Sequence, residues 1–553
     1  MALASVNSIP GSPPNWKLAP SLAIDTQGIV ASGFGKLETG RALFLEFTWP
    51  ASVPGGAWLE ALQESVTITH GVPAAQQDRA AAIAFTGTGL GYMGLGEQAL
   101  ASFARPFREG MYQEDRMRRL GDRRKGAWQE SVIDGGPVWS ANTPPRDPAE
   151  GKLDWMLPYQ VPHDGAPEED IRTPLTVHAL LMLYTRTEED SRLWRDDVVA
   201  LLARHHVDVV RQLELLLDVE HQGISREHLG FADGLSQPAP YGLTVPKDES
   251  GLVTLEGRPA ARDPVQGVPL GEVLIGYQNG HSEPAPGPVV PTWVGGDPSK
   301  IDPRPEQAKL PPHSLAEGFA DLGLNGSYLV VRELKQDVAK FWTSLEENAA
   351  RIRAQDPTAN HVNAEWIAER VIGRGRDGHL LCPAGYRKPD RYGLPDNGFL
   401  FRSDDPHGVG CPPGSHVRRA NPRDALAPKD DQESRETLLQ AANNHRILRR
   451  GRKFGPKIAD PKVDDERDRG LLFMCLNTDI ARQFEFVQQT WLLNPAFATL
   501  FGEVDPLLGP AGPMTIREKP LRRTVDVRTY VQLAGGDYFF LPSMAALRYL
   551  ALL

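Results

Sequence analysis

Apolar runs of strand length and amphipathic runs of helix length are interleaved along this chain, but never in a sustained strand–helix–strand rhythm. That irregularity constrains the fold most. Parallel sheets need a crossover, usually a helix, between successive strands, and their sequences show the alternation. Its lack predicts an α+β protein with antiparallel sheets. In the first half, Ser21–Phe47 reads as strand, turn, strand around Gly33, Gly35 and Gly40. Trp58–Ile68 reads as a short amphipathic helix, Ala81–Phe85 as a strand and Glu97–Phe103 as helical. Val177–Tyr184 is a strand, Glu188–Arg204 a helix capped by Thr187, and Val207–Leu217 a strand. In the second half the strands are Val273–Gly276, Ser327–Leu334, Arg469–Leu476 and Tyr530–Phe540. The helices are Val338–Asn348, Ala364–Ile372 and Phe484–Trp491. Ile133–Thr176 and the passages after Asp233 and Asn279 are rich in Pro and Gly and read as irregular. No short-period repeat is evident.

The chain's 553 residues suffice for two large domains, and its 41% hydrophobic share allows a sizeable core. A net charge of −11, without a basic block, argues against a nucleic-acid partner. The three cysteines, Cys382, Cys411 and Cys475, form no Cys-x-x-Cys pair. No disulfide framework is expected, and a reducing, cytoplasmic setting fits. Met1–Pro20 does not read as a signal peptide. The apolar tail Tyr538–Leu553 carries Pro542 and Arg548 and is too short to cross a bilayer, so no membrane partner is expected.

Two stretches carry chemistry. Cys411–Asp424 reads Cys-Pro-Pro-Gly-Ser-His-Val-Arg-Arg-Ala-Asn-Pro-Arg-Asp. A neutral imidazole such as His416 is the usual axial ligand of haem iron, and arginine forks such as Arg418, Arg419 and Arg423 suit carboxylates, haem propionates included. Residue types alone equally allow a turn before a basic surface strand. The second stretch is Gly230–Pro238, Gly-Phe-Ala-Asp-Gly-Leu-Ser-Gln-Pro, whose Asp-Gly pair is also a common turn. A third motif, Gly89-Leu90-Gly91-Tyr92-Met93-Gly94, fits a dinucleotide fingerprint. The charged stretch Arg105–Asp122 that follows lacks the parallel strand a Rossmann unit requires, so a tight strand-to-helix turn is preferred. His205 and His206 are neighbours and do not share a helix face, which makes a metal pair improbable.

Gly230–Pro238 resembles the Gly-x-x-Asp-Gly motif of the dye-decolorising (DyP-type) haem peroxidases, and Cys411–Asp424 is similar to that family's proximal-histidine segment. Further similar segments follow in order over nearly the whole chain. They include Arg108–Met111, Leu120–Asp122, Gly326–Arg332, Val371–Arg374, Arg446–Gly451, Gly470–Phe473, Gln483–Phe486 and Gly536–Pro542. The resemblance implies two ferredoxin-like halves with antiparallel sheets, of the dimeric α+β barrel type. The expected division is 20–245, carrying the Gly-x-x-Asp-Gly motif, and 246–553, holding most of the haem. It implies a peroxidase that reduces hydrogen peroxide, forms a ferryl haem and oxidises small aromatic donors such as dyes and phenolics. The cofactor implied is haem b, iron protoporphyrin IX, and a homo-oligomer is left open.

By that resemblance His416 is the iron ligand, with His445 and His228 as rivals. Asp233 is the distal acid–base group. Arg449 is the distal cation, with Arg450 as the alternative register. Arg374 and Asn421 are expected at the haem, and Glu503 or Asp505 as the carboxylate behind His416. Leu472 and Met474, alternating with Leu476 on one strand, are expected as an apolar distal wall or, equally, as plain core. The polar stretch Pro428–Arg435 lengthens the connection from His416 to Arg449 and could alter access to the haem edge. Two other functions remain: a haem-binding or haem-delivery protein with low peroxidase activity, and a nicotinamide oxidoreductase built on Gly89–Gly94.

Overall fold

Strand β3 (Ala179–Thr185) shows how the molecule is layered, because all seven of its residues are buried. Leu180, Met182 and Tyr184 point to one core, and Ala179, Leu181 and Leu183 to another. A strand covered on both faces needs apolar residues without alternation, and the sequence Ala-Leu-Leu-Met-Leu-Tyr-Thr supplies them. The structure, a computed structural model, describes residues 16–72, 77–122, 133–143, 172–218, 225–241, 244–246, 263, 265–382, 397–518 and 521–553.

In the first half, β1 (Thr39–Phe47), β2 (Arg79–Phe85), β3 and β4 (Val207–Leu216) hydrogen-bond in the order β4-β1-β3-β2. The helix Ala57–Ser65 connects β1 to β2, and α1 (Glu188–Arg204) connects β3 to β4. In the second half, β5 (Ser327–Gln336), β7 (Arg452–Phe454), β8 (Gly470–Asn477) and β9 (Val531–Leu541) take the order β9-β5-β8-β7. A two-residue strand, β6 (Leu448–Arg449), also pairs with β8. Helices α2 (Val338–Gln355) and α3 (Ala364–Ile372) follow β5. A wide-turned helix, Ala481–Glu485 and Val487–Leu492, follows β8. Each half is therefore β-α-β-β-α-β, the ferredoxin-like arrangement. The halves join where Lys453 faces Leu216 and where Phe540 faces Phe85, both antiparallel. With β5 paired to β9, the sheet closes into a barrel.

Alternation then sorts the side chains. Phe44, Met182, Leu329, Val331, Leu472, Met474, Leu476 and Phe539 fill the barrel. Leu45, Phe85, Tyr328, Val330, Cys475, Tyr538 and Phe540 face outward under the helices. Local chemistry fixes the helix ends. The Thr187 hydroxyl accepts from Asp190 N, and acids occupy the first turn of α1. Helix α3 stops at Gly373, at φ +102°. A Cβ there would lie 2.9 Å from Ser415 Oγ and 3.1 Å from Cys411 Sγ, so this end presses on the turn before His416.

Three local expectations change. Ser21–Phe47 begins not as a strand but as two short helices, Pro20–Ala23 and Gly28–Ala31, the first opened by Pro20. Val273–Gly276 is a buried turn after a 3-10 segment, because Leu274 N bonds Leu270 O and Gly276 sits at φ +95°. Ile133–Thr176 contains the strand Asp134–Ser140, parallel to β9. Residues 144–171 of that stretch, and 247–262 of the later Pro/Gly passage, lie outside the described residues. At the glycine fingerprint, a short helix, Gly87–Tyr92, follows β2 directly, with Thr86 as its cap. A Cβ on Gly89 would lie 2.1 Å from His178 O, so Gly89 serves close backbone packing, while Gly94 sits at φ +91°. Among the described residues no helix is long and apolar enough to cross a membrane.

Candidate active site

Helix α4 (His416–Ala420) is one turn long and depends on its surroundings. The buried Asp405 carboxylate accepts the N–H groups of Val409, Gly410 and Cys411. Arg418 donates to the carbonyls of Asp405 and Cys411. Arg419 donates to the carbonyls of Trp491, Leu492 and Glu503. These two arginines are thus buried braces that hold the His416 segment in place. His416 Nδ1 lies 2.9 Å from Asp505 Oδ2, and the other Asp505 oxygen accepts from Leu507 N and Leu508 N. Burial opposes a charge on His416, but the Asp505 carboxylate outweighs it, so the imidazole's pKa is raised. Nδ1 is therefore a donor anchored to a fixed carboxylate. Nε2 makes no hydrogen bond among the described residues. Glu503, the other candidate, is engaged instead by Thr515 N and Thr515 Oγ1.

The two rival histidines are committed elsewhere. His228 Nε2 bonds Phe454 O at 2.7 Å, and His445 Nδ1 bonds Arg482 O while its ring stacks on Phe486.

Asp233, in the connection after β4, and Arg449, on β6 of the second half, meet. Arg449 Nη1 is 3.0 Å from Asp233 Oδ1, and each side chain is about a third exposed. Asp233 Oδ1 also accepts from Gly234 N, which leaves Oδ2 without a donor among the described residues. The charges of both groups act on His416, which places all three within electrostatic reach of one another. Arg450 turns away and donates to Ile29 O and Val30 O. Of the Arg-Arg pair, Arg449 meets Asp233 and Arg450 points inward.

Strand alternation moves the expected apolar wall. Arg449 on β6 stands opposite Cys475, so these two share a face of the sheet. Leu472 and Met474, like Leu476, point the other way into the barrel core and are fully buried there. The neighbours on Arg449's face are Cys475 and Phe473.

Beside this space lies a cluster of arginines. Arg423 stacks 3.7 Å from the centre of the Phe399 ring and donates to Asn397 O and Phe399 O. Arg374 donates to Gly378 O and Asn397 Oδ1. Arg446 bonds Gln266 Oε1, and its buried Nη2 has no partner among the described residues. Burial, then Arg446 and Arg374, hold the Arg423 guanidinium well below its usual proton affinity. Burial, then Arg449, push Arg446 down to about 10. Arginine does not give up its proton in proteins, so these shifts register burial beside like charges. Asn421 Oδ1 and Ser236 Oγ are further buried polar atoms without partners among the described residues. Arg423 stood in the sequence reading as a candidate for carboxylates, whereas Arg446 stood there only as the first residue of the segment Arg446–Gly451, with no role. Its only signal was a place three residues before Arg449, which does not reveal burial.

No family model matches the chain. It is 30% identical over 398 residues to the multifunctional dye peroxidase DyP2 of Amycolatopsis sp., covering 68% of this chain and 71% of that one. Its fold superposes on a DyP-type peroxidase of Anabaena sp. with a TM-score of 0.65 at 19% identity, covering 99% and 100% of the two chains. A dye-decolorizing peroxidase in complex with 2,6-dimethoxyphenol superposes with a TM-score of 0.62 at 22% identity, covering 96% and 99%.

Proposed function

The chain belongs to the dye-decolorising peroxidase family, and from that premise we propose that it reduces hydrogen peroxide and oxidises small aromatic donors with haem b held between His416 and the Asp233–Arg449 pair. The single observation that carries this reading is the 3.0 Å contact between Arg449 and Asp233, whose charges both reach His416. A haem-delivery protein needs a ligand but has no use for a paired acid–base group and fixed cation.

The residues present fit an iron porphyrin with two carboxylates. His416 offers one free imidazole nitrogen whose partner nitrogen is tied to Asp505, the usual second support of a metal-bound histidine. Arg446, Arg423 and Arg374 form a buried cluster of like charges, and Arg446 Nη2 has no hydrogen-bond partner among the described residues. That is the complement of two propionates, with Asn421 Oδ1 a nearby polar atom. Bound haem would supply the redox-active iron at which peroxide is reduced and from which donors are oxidised.

The chain's own residues do the rest. Asp233 Oδ2 takes the proton from one peroxide oxygen and returns it to the other, which must leave as water. Arg449 lends its fixed positive charge to the oxygen on which charge develops. Asp505 keeps the His416 proton on Nδ1 and the ring in one orientation. Residues 20–245 supply Asp233, and residues 246–553 supply His416, Arg449 and the arginine cluster. The three cysteines are free thiols, which suits a cytoplasmic setting.

The test is steady-state oxidation of 2,6-dimethoxyphenol by hydrogen peroxide with haem-loaded protein. Asp233→Asn should keep haem and lose turnover by on the order of a hundredfold. Turnover that is negligible in wild type would favour haem carriage without catalysis, and turnover unchanged in the variant would take Asp233 out of the reaction.

A further inference from the structure

The contact between Arg449 and Asp233 joins two side chains that are each about a third exposed. Exposed ion pairs are weak and cost side-chain freedom, so this one cannot by itself hold its partners at a fixed separation. Something else must set the distance between the two backbones.

Gln237 is placed to do so. It follows Asp233 by four residues in the same loop. Its Oε1 accepts from Arg449 N at 3.0 Å, and its Nε2 donates to Arg449 O at 3.2 Å. The two-residue strand β6 pairs with β8 on one side only, and Arg450 N donates to Met474 O there. The Arg449 N–H and C=O therefore face the other side, where one carboxamide bonds both, as a neighbouring strand would; the carbonyl accepts in addition from Arg450 Nη1 at 3.1 Å. The start of the loop is pinned separately. Ala232 N donates to Arg376 O, and Asp233 N to Ser225 O. Asp233 thus lies between a fixed entry and a clasp on the backbone of its partner.

We propose that Gln237 is a positioning residue that fixes the separation of Asp233 and Arg449 by bracketing the Arg449 backbone. This rests on the reading of that pair as the groups that act on peroxide. Gln237 need not touch peroxide or haem itself. Its loss acts through Arg449, and misplacement of a reacting group by an ångström costs on the order of a hundredfold.

Three measurements on the haem-loaded full-length protein test the proposal. In Gln237→Leu the Soret band should be retained, and the bimolecular rate with hydrogen peroxide should fall by roughly ten- to a hundredfold. In the same variant, hydrogen exchange of the Arg449 amide should accelerate, a readout independent of turnover. Gln237→Glu separates positioning from general damage. Above the pKa of the new carboxyl, ~4.3 in the absence of perturbation, glutamate accepts from Arg449 N but cannot donate to Arg449 O. Once protonated it does both. The ratio of Gln237→Glu to wild-type rate should therefore rise as pH falls. A Gln237→Leu rate equal to wild type, an Arg449 amide equally protected in both, or a pH-independent ratio would overturn the proposal. If Asp233→Asn and Arg449→Leu also react at the wild-type rate, the reading of the pair itself fails. If those two are slow and Gln237→Leu is not, only the role of Gln237 fails.

Discussion

At the scale of single residues, the site is decided by which way neighbouring side chains point. Arg449 and Arg450 are chemically identical in sequence, yet one faces Asp233 and the other donates to the carbonyls of Ile29 and Val30 from within the core. Their substitutions should separate cleanly. Arg449→Leu should retain the fold and lose on the order of a hundredfold or more in the rate with peroxide. Arg450→Leu should instead lower stability by about 1–3 kcal/mol, because two buried carbonyls lose their donor. Denaturant midpoints beside peroxide rates would show this, and a reversed pattern would exchange the two roles. Alternation was legible in principle for Leu472, Met474 and Leu476, which do share one face. Which face that was depended on the pairing of β6 with β8, and pairing is a long-range property that no local pattern carries.

At the scale of elements, helices and strands with strong periodicity and clear caps were readable almost to the residue. Glu188–Arg204 and Ala364–Ile372 run as expected, the first from the Thr187 cap and the second to Gly373. The failures lie where tertiary contacts override a local signal. Val273–Gly276 has the composition of a strand but is folded into a turn by bonds from Leu274 N to Leu270 O and from Ile275 N to Gly326 O. The choice between Glu503 and Asp505 was open for the same reason, since both flank one turn and only one meets His416. Gly373 couples two elements of the site. At φ +102°, with Ser415 and Val417 against it, it brings α3 onto the turn that presents His416. Gly373→Ala should cost about 1–2 kcal/mol from backbone conformation alone. It should also weaken haem retention by displacing Ser415. An unchanged denaturant midpoint and haem dissociation rate would show the contact to be slack.

At the scale of the whole molecule, the closed barrel makes the two halves one structural unit. The chain ends of each half lock into the other through β7 with β4 and β9 with β2. Two buried histidines link that unit to pH. Burial holds His178 and His228 down to about 4, against an ordinary value near 6.5. In the unfolded chain both bind protons first. Stability should therefore fall as pH drops from ~6.5 to ~4 and change no further from these groups below that, by on the order of 1–3 kcal/mol for each. His178 Nδ1 accepts from Phe47 N. In His178→Asn the amide oxygen can replace that acceptor, so the acid loss of melting temperature should be shallower than in wild type. An identical acid limb would assign the loss elsewhere. The central claim is that the barrel brings Asp233 from one half and Arg449 from the other to act as a single device on peroxide. A double-mutant cycle tests it most directly, with the rate of Soret change on mixing haem-loaded protein with hydrogen peroxide as the readout. Asp233→Asn and Arg449→Leu should each be slow, and the double variant about as slow as the worse single, because groups that work as one unit cannot be lost twice. Losses that simply multiply, or single variants as fast as wild type, would contradict the account.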